Sequence, residues 1–150
     1  MNIIGAIVAG LVGTVVISML MAMGPRMGMP KMAIWEMLGT MFSKEGNVGL
    51  GWIMHFMMGV IFAIIYAALW AAGVGSATWL NGAIFGAVHF VIAGLAMGGM
   101  PMMHAGIKAG TVKAPGMLML NVGVMGLMGG LIGHIVYGLV VALVYGAFPR

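Results

Sequence analysis

The chain has no cysteine and no aspartate, and Glu36 and Glu45 are its only acids. Without cysteine there are no disulfides, no thiolate-bound zinc and no ordinary iron–sulfur ligation. With both acids in one loop, Ser18 has no identifiable histidine and acid partners for a triad. HEXXH and phosphate-binding glycine motifs are also missing. The chain therefore reads less as an enzyme than as a binding or assembly protein. Its formal charge of +4 comes from the scarcity of acids, with Arg26, Lys31, Lys44, Lys108, Lys113 and Arg150 as the basic residues. That is no nucleic-acid footprint, and no nucleic-acid partner is expected.

Apolar residues dominate instead. At 63% hydrophobic and 5% charged, the composition is that of an integral membrane protein, with the lipid bilayer as its first partner. No Lys, Arg, Asp or Glu occurs from Met1 to Pro25, from Gly46 to Ile107, or from Ala114 to Pro149. A span needs about 20 apolar residues. The middle stretch therefore holds two spans, broken at AAGVGSATWLNG, where Gly73, Gly75, Ser76 and Asn81 supply turn chemistry. The expectation is an all-α single membrane domain, residues 1–150, with transmembrane helices at about 3–23, 51–71, 79–99 and 126–147. The first lacks the basic start of a cleavable signal peptide and reads as a retained span.

Five of the six basic residues lie in the first and third loops, which places both termini outside the cytoplasm. Tyr66, Trp70, Trp79, Tyr145 and Phe148 would then gather at the outer interface, and Trp35 and Trp52 at the inner one. In the first loop, PKMAIWEMLGTMF sets Ile34, Met37, Leu38, Met41 and Phe42 on one stripe, predicting a short interfacial helix. In the third, Pro115 and Gly116 break the backbone of TVKAPGMLMLNVGVM, and the apolar residues after them lie along the membrane before the fourth span.

Residues 51–68, GWIMHFMMGVIFAIIYAA, and 130–147, GLIGHIVYGLVVALVYGA, each carry a histidine with glycine four residues before and four after. An offset of 79 superposes Gly51 on Gly130, His55 on His134, Gly59 on Gly138, Ala63 on Ala142 and Tyr66 on Tyr145. The first and third spans match more faintly through GAI at 5–7 and 82–84. The pattern predicts a tandem duplication of a two-helix unit, as pseudo-repeats 1–75 and 78–150, with a pseudo-two-fold axis along the membrane normal. Gly51, His55, Gly59, Ala63 and Tyr66 share one helical face. Such small stripes let helices approach closely in lipid, as do Ala6, Gly10, Thr14 and Ser18 on the first span and Gly86, Gly94 and Gly98 on the third. Val60 falls on the lipid side in this reading. The fold expected is a compact four-helix bundle.

Function points to the histidines. His55, His134 and His89 lie about 7 to 15 Å from the inner ends of their spans at helical rise, and His104 follows just beyond the third span. One reading is a haem b site, possible electron transfer included, in which His55 and His134 approach one iron from symmetric helices. Gly51, Gly59, Gly130 and Gly138 would clear space for the ring, and His89, His104 or the tyrosines would support it, with propionate charge met only by loop lysines. A transition-metal version adds sulfur: Met23, Met27, Met29, Met32, Met97, Met100, Met102 and Met103 flank equivalent inner edges, and thioethers with His55, His134 and His104 suit copper(I), Met100 and Met103 foremost. A cofactor-free structural or assembly subunit of a membrane complex, or a homo-oligomer, would use the same imidazoles as hydrogen-bonding glue. A small transporter or channel is a further alternative, with histidine as its sole intramembrane titratable group.

Four segments carry a likeness to known proteins: GLVGTVVISMLMAMGPRMGMPKM followed by MLGTMF, GWIMHFMMGVIFAIIYA, GAVHFVIAGLAMGGMPMMHAG and GHIVYGLVVALVYG. On these the chain resembles, over nearly its whole length, small bacterial four-span membrane proteins grouped as domains of unknown function. The resemblance implies the four-span fold and a bacterial inner membrane, and carries over no activity.

Overall fold

The computed structural model describes residues 1–149, and among these there is no strand. Arg150, the sixth basic residue and the last of the second pseudo-repeat, lies outside the described residues. Seven helices follow in order: α1 (Ile3–Met23), α2 (Ile34–Gly39), α3 (Val48–Ala71), α4 (Trp79–Met97), α5 (Met100–Met103), α6 (Ala105–Lys108) and α7 (Val124–Gly146). Two 3-10 turns, Gly24–Met27 and Met117–Val122, complete the loops. Helices α1, α3, α4 and α7 are long and apolar enough to cross a membrane, with mean hydropathy of 1.8 to 2.5 over their best windows. Side-chain caps set several boundaries. Asn2 accepts from Gly5 N–H at the start of α1, Asn47 from Leu50 N–H at the start of α3, and Thr78 from Asn81 N–H at the start of α4. The Asn47 cap explains why α3 begins three residues before Gly51.

Helix α1 packs on α3 and α7, and α7 packs on α4. Glycines make these approaches possible. A Cβ on Gly10 would lie 2.7 Å from Val60 Cα and 2.8 Å from the Gly59 carbonyl, and one on Gly86 would lie 2.7 Å from Ile135 Cα. Backbones in this kind of contact gain dispersion that lipid cannot supply better. The Val60 backbone lies at this crossing, and the residue is half-buried where the sequence places it toward lipid. The lipid side of α3 carries Ile53, Met57, Ile61 and Ile65, all exposed.

Ala63 meets Gly10 of α1, and Ala142, 79 residues later, meets Gly82 of α4. The correspondence does not extend around the bundle: α1 packs on α7, whereas α3 and α4 are joined by side chains. Phe62 stacks on His89 at 3.8 Å, Tyr66 meets Phe85 edge-on at 5.1 Å, and Trp70 meets Phe85 at 5.5 Å. Tyr66, Trp70 and Tyr145 consequently belong to the buried core, with Ala6, Ala9 and Val141, instead of forming an interfacial belt. Small residues on α1 leave the room that these rings fill. Trp79 remains exposed. At the opposite end Trp35 and Trp52 stack at 4.3 Å with planes 8° apart.

The first-loop helix is shorter than its stripe. It ends at Gly39, leaving Met41 and the exposed Phe42 in the following turn, while Leu38 is buried. It lies on α3 so closely that a Cβ on Gly51 would collide with the Trp35 carbonyl. The Met117–Val122 turn runs across the bundle, its Leu118 against Gly94 of α4 and its Met119 sulfur against Gly130 of α7. Leu118 and Met119 both take left-handed φ, 51° and 61°, a conformation that bulky side chains rarely adopt.

Candidate functional site

Three of the four histidines line one cavity. It has a volume of about 540 Å³, lies among α1, α3, α4 and α7, and is bounded at the loop end by residues 31–34 and 111–115. Its walls are mostly apolar. His55 lies seven residues into α3, His134 ten into α7 and His89 eight before the end of α4, so all sit about 10 to 15 Å above the loop end.

Each imidazole is held by a different partner. Ser18 donates its hydroxyl proton to the Thr14 carbonyl at 2.6 Å, so its oxygen accepts from His55 Nε2–H at 3.0 Å, leaving the His55 Nδ1 lone pair unpartnered. Thr14 in turn donates to the Gly10 carbonyl at 2.7 Å, continuing the chain along α1. His134 donates from Nδ1 to the Gly130 carbonyl at 2.8 Å, which leaves its Nε2 as the lone-pair nitrogen. Tyr66 Oη pairs with His89 Nδ1 at 3.1 Å; as this is the phenol's only hydrogen bond among the described residues, the phenol donates and the His89 proton is assigned to Nε2. Among the described residues, Trp70 Nε1 is the only fully enclosed side-chain nitrogen or oxygen without a partner. The unpaired nitrogens of His55, His89 and His134 are therefore not fully enclosed, and all three rings line the cavity. The rings of His89 and His134 are perpendicular with centroids 4.8 Å apart.

His104 stands elsewhere. It is fully buried outside the cavity, donating from Nε2 to the Met37 carbonyl at 2.9 Å and accepting from Ile107 N–H on Nδ1 at 3.2 Å. With both nitrogens spent on backbone it clamps the third loop to α2 and offers no lone pair to a metal. Met100 and the exposed Met103 do not line the cavity either; Met21, Met32, Met37, Met58, Met97 and Met119 do. Among the described residues no three of His, Asp and Glu are grouped closely enough to hold a metal ion by themselves.

The flanking glycines divide. Gly59 and Gly130 line the cavity, but their open faces meet the Thr14 hydroxyl and the ring of Phe90. Gly51 and Gly138 do not reach the cavity and are used by the α2 and α4 crossings. Their smallness serves packing. Tyr137, which the repeat pattern does not single out, lines the cavity and donates its hydroxyl to the Gly59 carbonyl. Its signal was its place three residues after His134, on the same helical face.

Lys31, Glu36 and Lys113 supply charge at the cavity mouth, with Lys31 and Glu36 paired at 2.8 Å and both exposed. Glu45 lies away from it. The Ser43 hydroxyl donates to the Glu45 carboxylate and holds its pKa below the usual value. The geometry thus combines two imidazole lone pairs, one imidazole N–H and an apolar chamber with charge confined to its entrance. No curated protein and no solved structure matches the chain. A family model described as a family of unknown function, DUF6789, matches residues 1–150, and the chain belongs to that family.

Proposed function

We propose that the protein binds haem b through His134 and His55, as a membrane redox carrier. One observation carries the reading: imidazoles from two separate spans each have one nitrogen held by the protein and the other without a partner, and both rings line a single apolar cavity. Fixing the distal nitrogen is how proteins prepare histidine as a ligand. The volume of about 540 Å³ is of the order of cofactor and small-molecule sites, roughly 300 to 1,000 Å³, and exceeds what a bare ion needs. His134 presents Nε2, the less crowded nitrogen, and is the stronger ligand; His55 presents Nδ1. When bound, the haem supplies one-electron chemistry. The chain supplies the ligands, a hydrogen-bond donor in His89 and exclusion of water.

Copper(I) is the second reading. It is favoured by the Met119 sulfur lying against Gly130 and the Met32 side chain against Gly129, about one turn before His134. We also propose a bacterial inner-membrane location with both termini outside the cytoplasm. Supporting it, the first and third loops, at one end of the bundle, hold Arg26, Lys31, Lys44, Lys108 and Lys113.

The test is an absorption spectrum with metal analysis on protein purified from its native membrane without chelators or imidazole. A Soret band supports haem, and stoichiometric copper without it supports the second reading. Protein with neither overturns both and leaves a cofactor-free assembly or transport role.

A further inference from the structure

The cavity is asymmetric along the membrane normal. Imidazoles lie in its interior, while the charged groups on its wall, Lys31, Glu36 and Lys113, belong to the loop end. The two lysines come from different loops, one just before α2 and one after α6, so they approach the mouth from separate directions. Both are exposed and can move. Lys31 has Glu36 as its partner, whereas among the described residues Lys113 has no acidic partner. An exposed pair such as Lys31 and Glu36 is held weakly, so a better-placed anion can displace the carboxylate.

Resting on the haem reading, we propose that Lys31 and Lys113 form a rim recognising two carboxylates, so that the site selects a dicarboxylate porphyrin seated with its acid edge at the loop end. The placement of charge and of the imidazoles requires this orientation. A carboxylate turned the other way would enter the core of Ala6, Ala9, Tyr66, Val141 and Ala142, which offers it no cation. Burying an unpaired carboxylate there is far more costly than leaving it at a wet, cationic mouth. The imidazoles stand only about 10 to 15 Å above the loop end, which brings the edge of a ring bound to them close to the rim. Glu36 then acts as a competitor for Lys31. It is the only acid that lines the cavity, and its removal leaves two uncompensated ammonium groups at the entrance.

The experiment is a spectral titration of the detergent-purified full-length protein, stripped of cofactor, with ferric haem b and separately with its dimethyl ester. The variants are Lys31→Gln, Lys113→Gln, their combination and Glu36→Gln. Glutamine keeps most of the stem length at exposed positions, and helical content by circular dichroism confirms that each variant is folded. The expected result is a roughly two- to fivefold weaker Kd for the diacid per lysine removed, no change for the diester, and tighter diacid binding in Glu36→Gln. Equal affinity for diacid and diester in the wild type overturns the rim, as does equal weakening of both porphyrins in the lysine variants. A Soret band with neither porphyrin in the wild type removes the haem reading itself. A Soret band that is indifferent to Lys31, Lys113 and Glu36 removes only the rim.

Discussion

Ser18 on α1 and His55 on α3 are joined at 3.0 Å, and because the serine proton goes to the Thr14 carbonyl, the imidazole must donate. One hydroxyl therefore braces two spans and decides which histidine nitrogen keeps its lone pair. Ser18→Ala should weaken haem binding by about tenfold, the usual scale for losing a partner behind a ligand. Ser18→Thr, which keeps the hydroxyl, should bind more nearly as wild type. Spectral titration checks both, and unchanged affinity in Ser18→Ala would show that the bond serves helix association alone.

His134→Ala and His55→Ala separate ligation from glue. As ligands of one iron, each loss should remove most cofactor retention, with His134→Ala the more severe, and the double variant should add little. As separate hydrogen-bonding groups, each should cost about 1 kcal/mol of helix association, with additive effects. Haem content on purification and thermal unfolding of the cofactor-free protein, measured on all three variants, distinguish the cases.

Gly86→Leu and Gly138→Leu should each destabilise the bundle by about 1 to 3 kcal/mol or more through overpacking. Added side chains there would meet the His134 carbonyl and the Gly82 carbonyl, both backbone. Ile61→Leu, on the exposed side of α3, should stay within about 0.5 kcal/mol. Unfolding in detergent, monitored by helical signal, gives the contrast. Equal tolerance at both kinds of position would contradict the crossings.

Topology can be read with single cysteines, since the chain has none of its own. Cysteines at Asn2 and Ser76 should label from outside the cell, and one at Ser43 only after permeabilisation. Labelling of Ser43 from outside, with Ser76 protected, would invert the orientation.

The four spans were legible because charge is excluded from long stretches of the chain, and helical rise alone put His55, His89 and His134 at one level. The faces were harder to read. His104 follows the third span in sequence and so counted as a fourth group at that level, but α5 turns the chain and carries its ring beneath the Met37 carbonyl. Among 20 methionines, position along the chain does not reveal which ones the loops fold over the cavity. The partner of His55 was within reach of the sequence, since Thr14 and Ser18 are the hydroxyl groups of the first span. The use of Tyr137 could be read only from its place three residues after His134, because 79 residues earlier stands Met58 and the repeat gives no hint of a hydroxyl.

Helices α3 and α4 are held together by rings, with Phe62, Tyr66 and Trp70 set against Phe85 and His89. Parting α4 from α7 would pull apart backbones in contact, whereas parting this seam would separate ring faces and break the Tyr66–His89 hydrogen bond. The two seams of α4 are thus held by different means, backbone apposition against α7 and interlocked buried rings against α3.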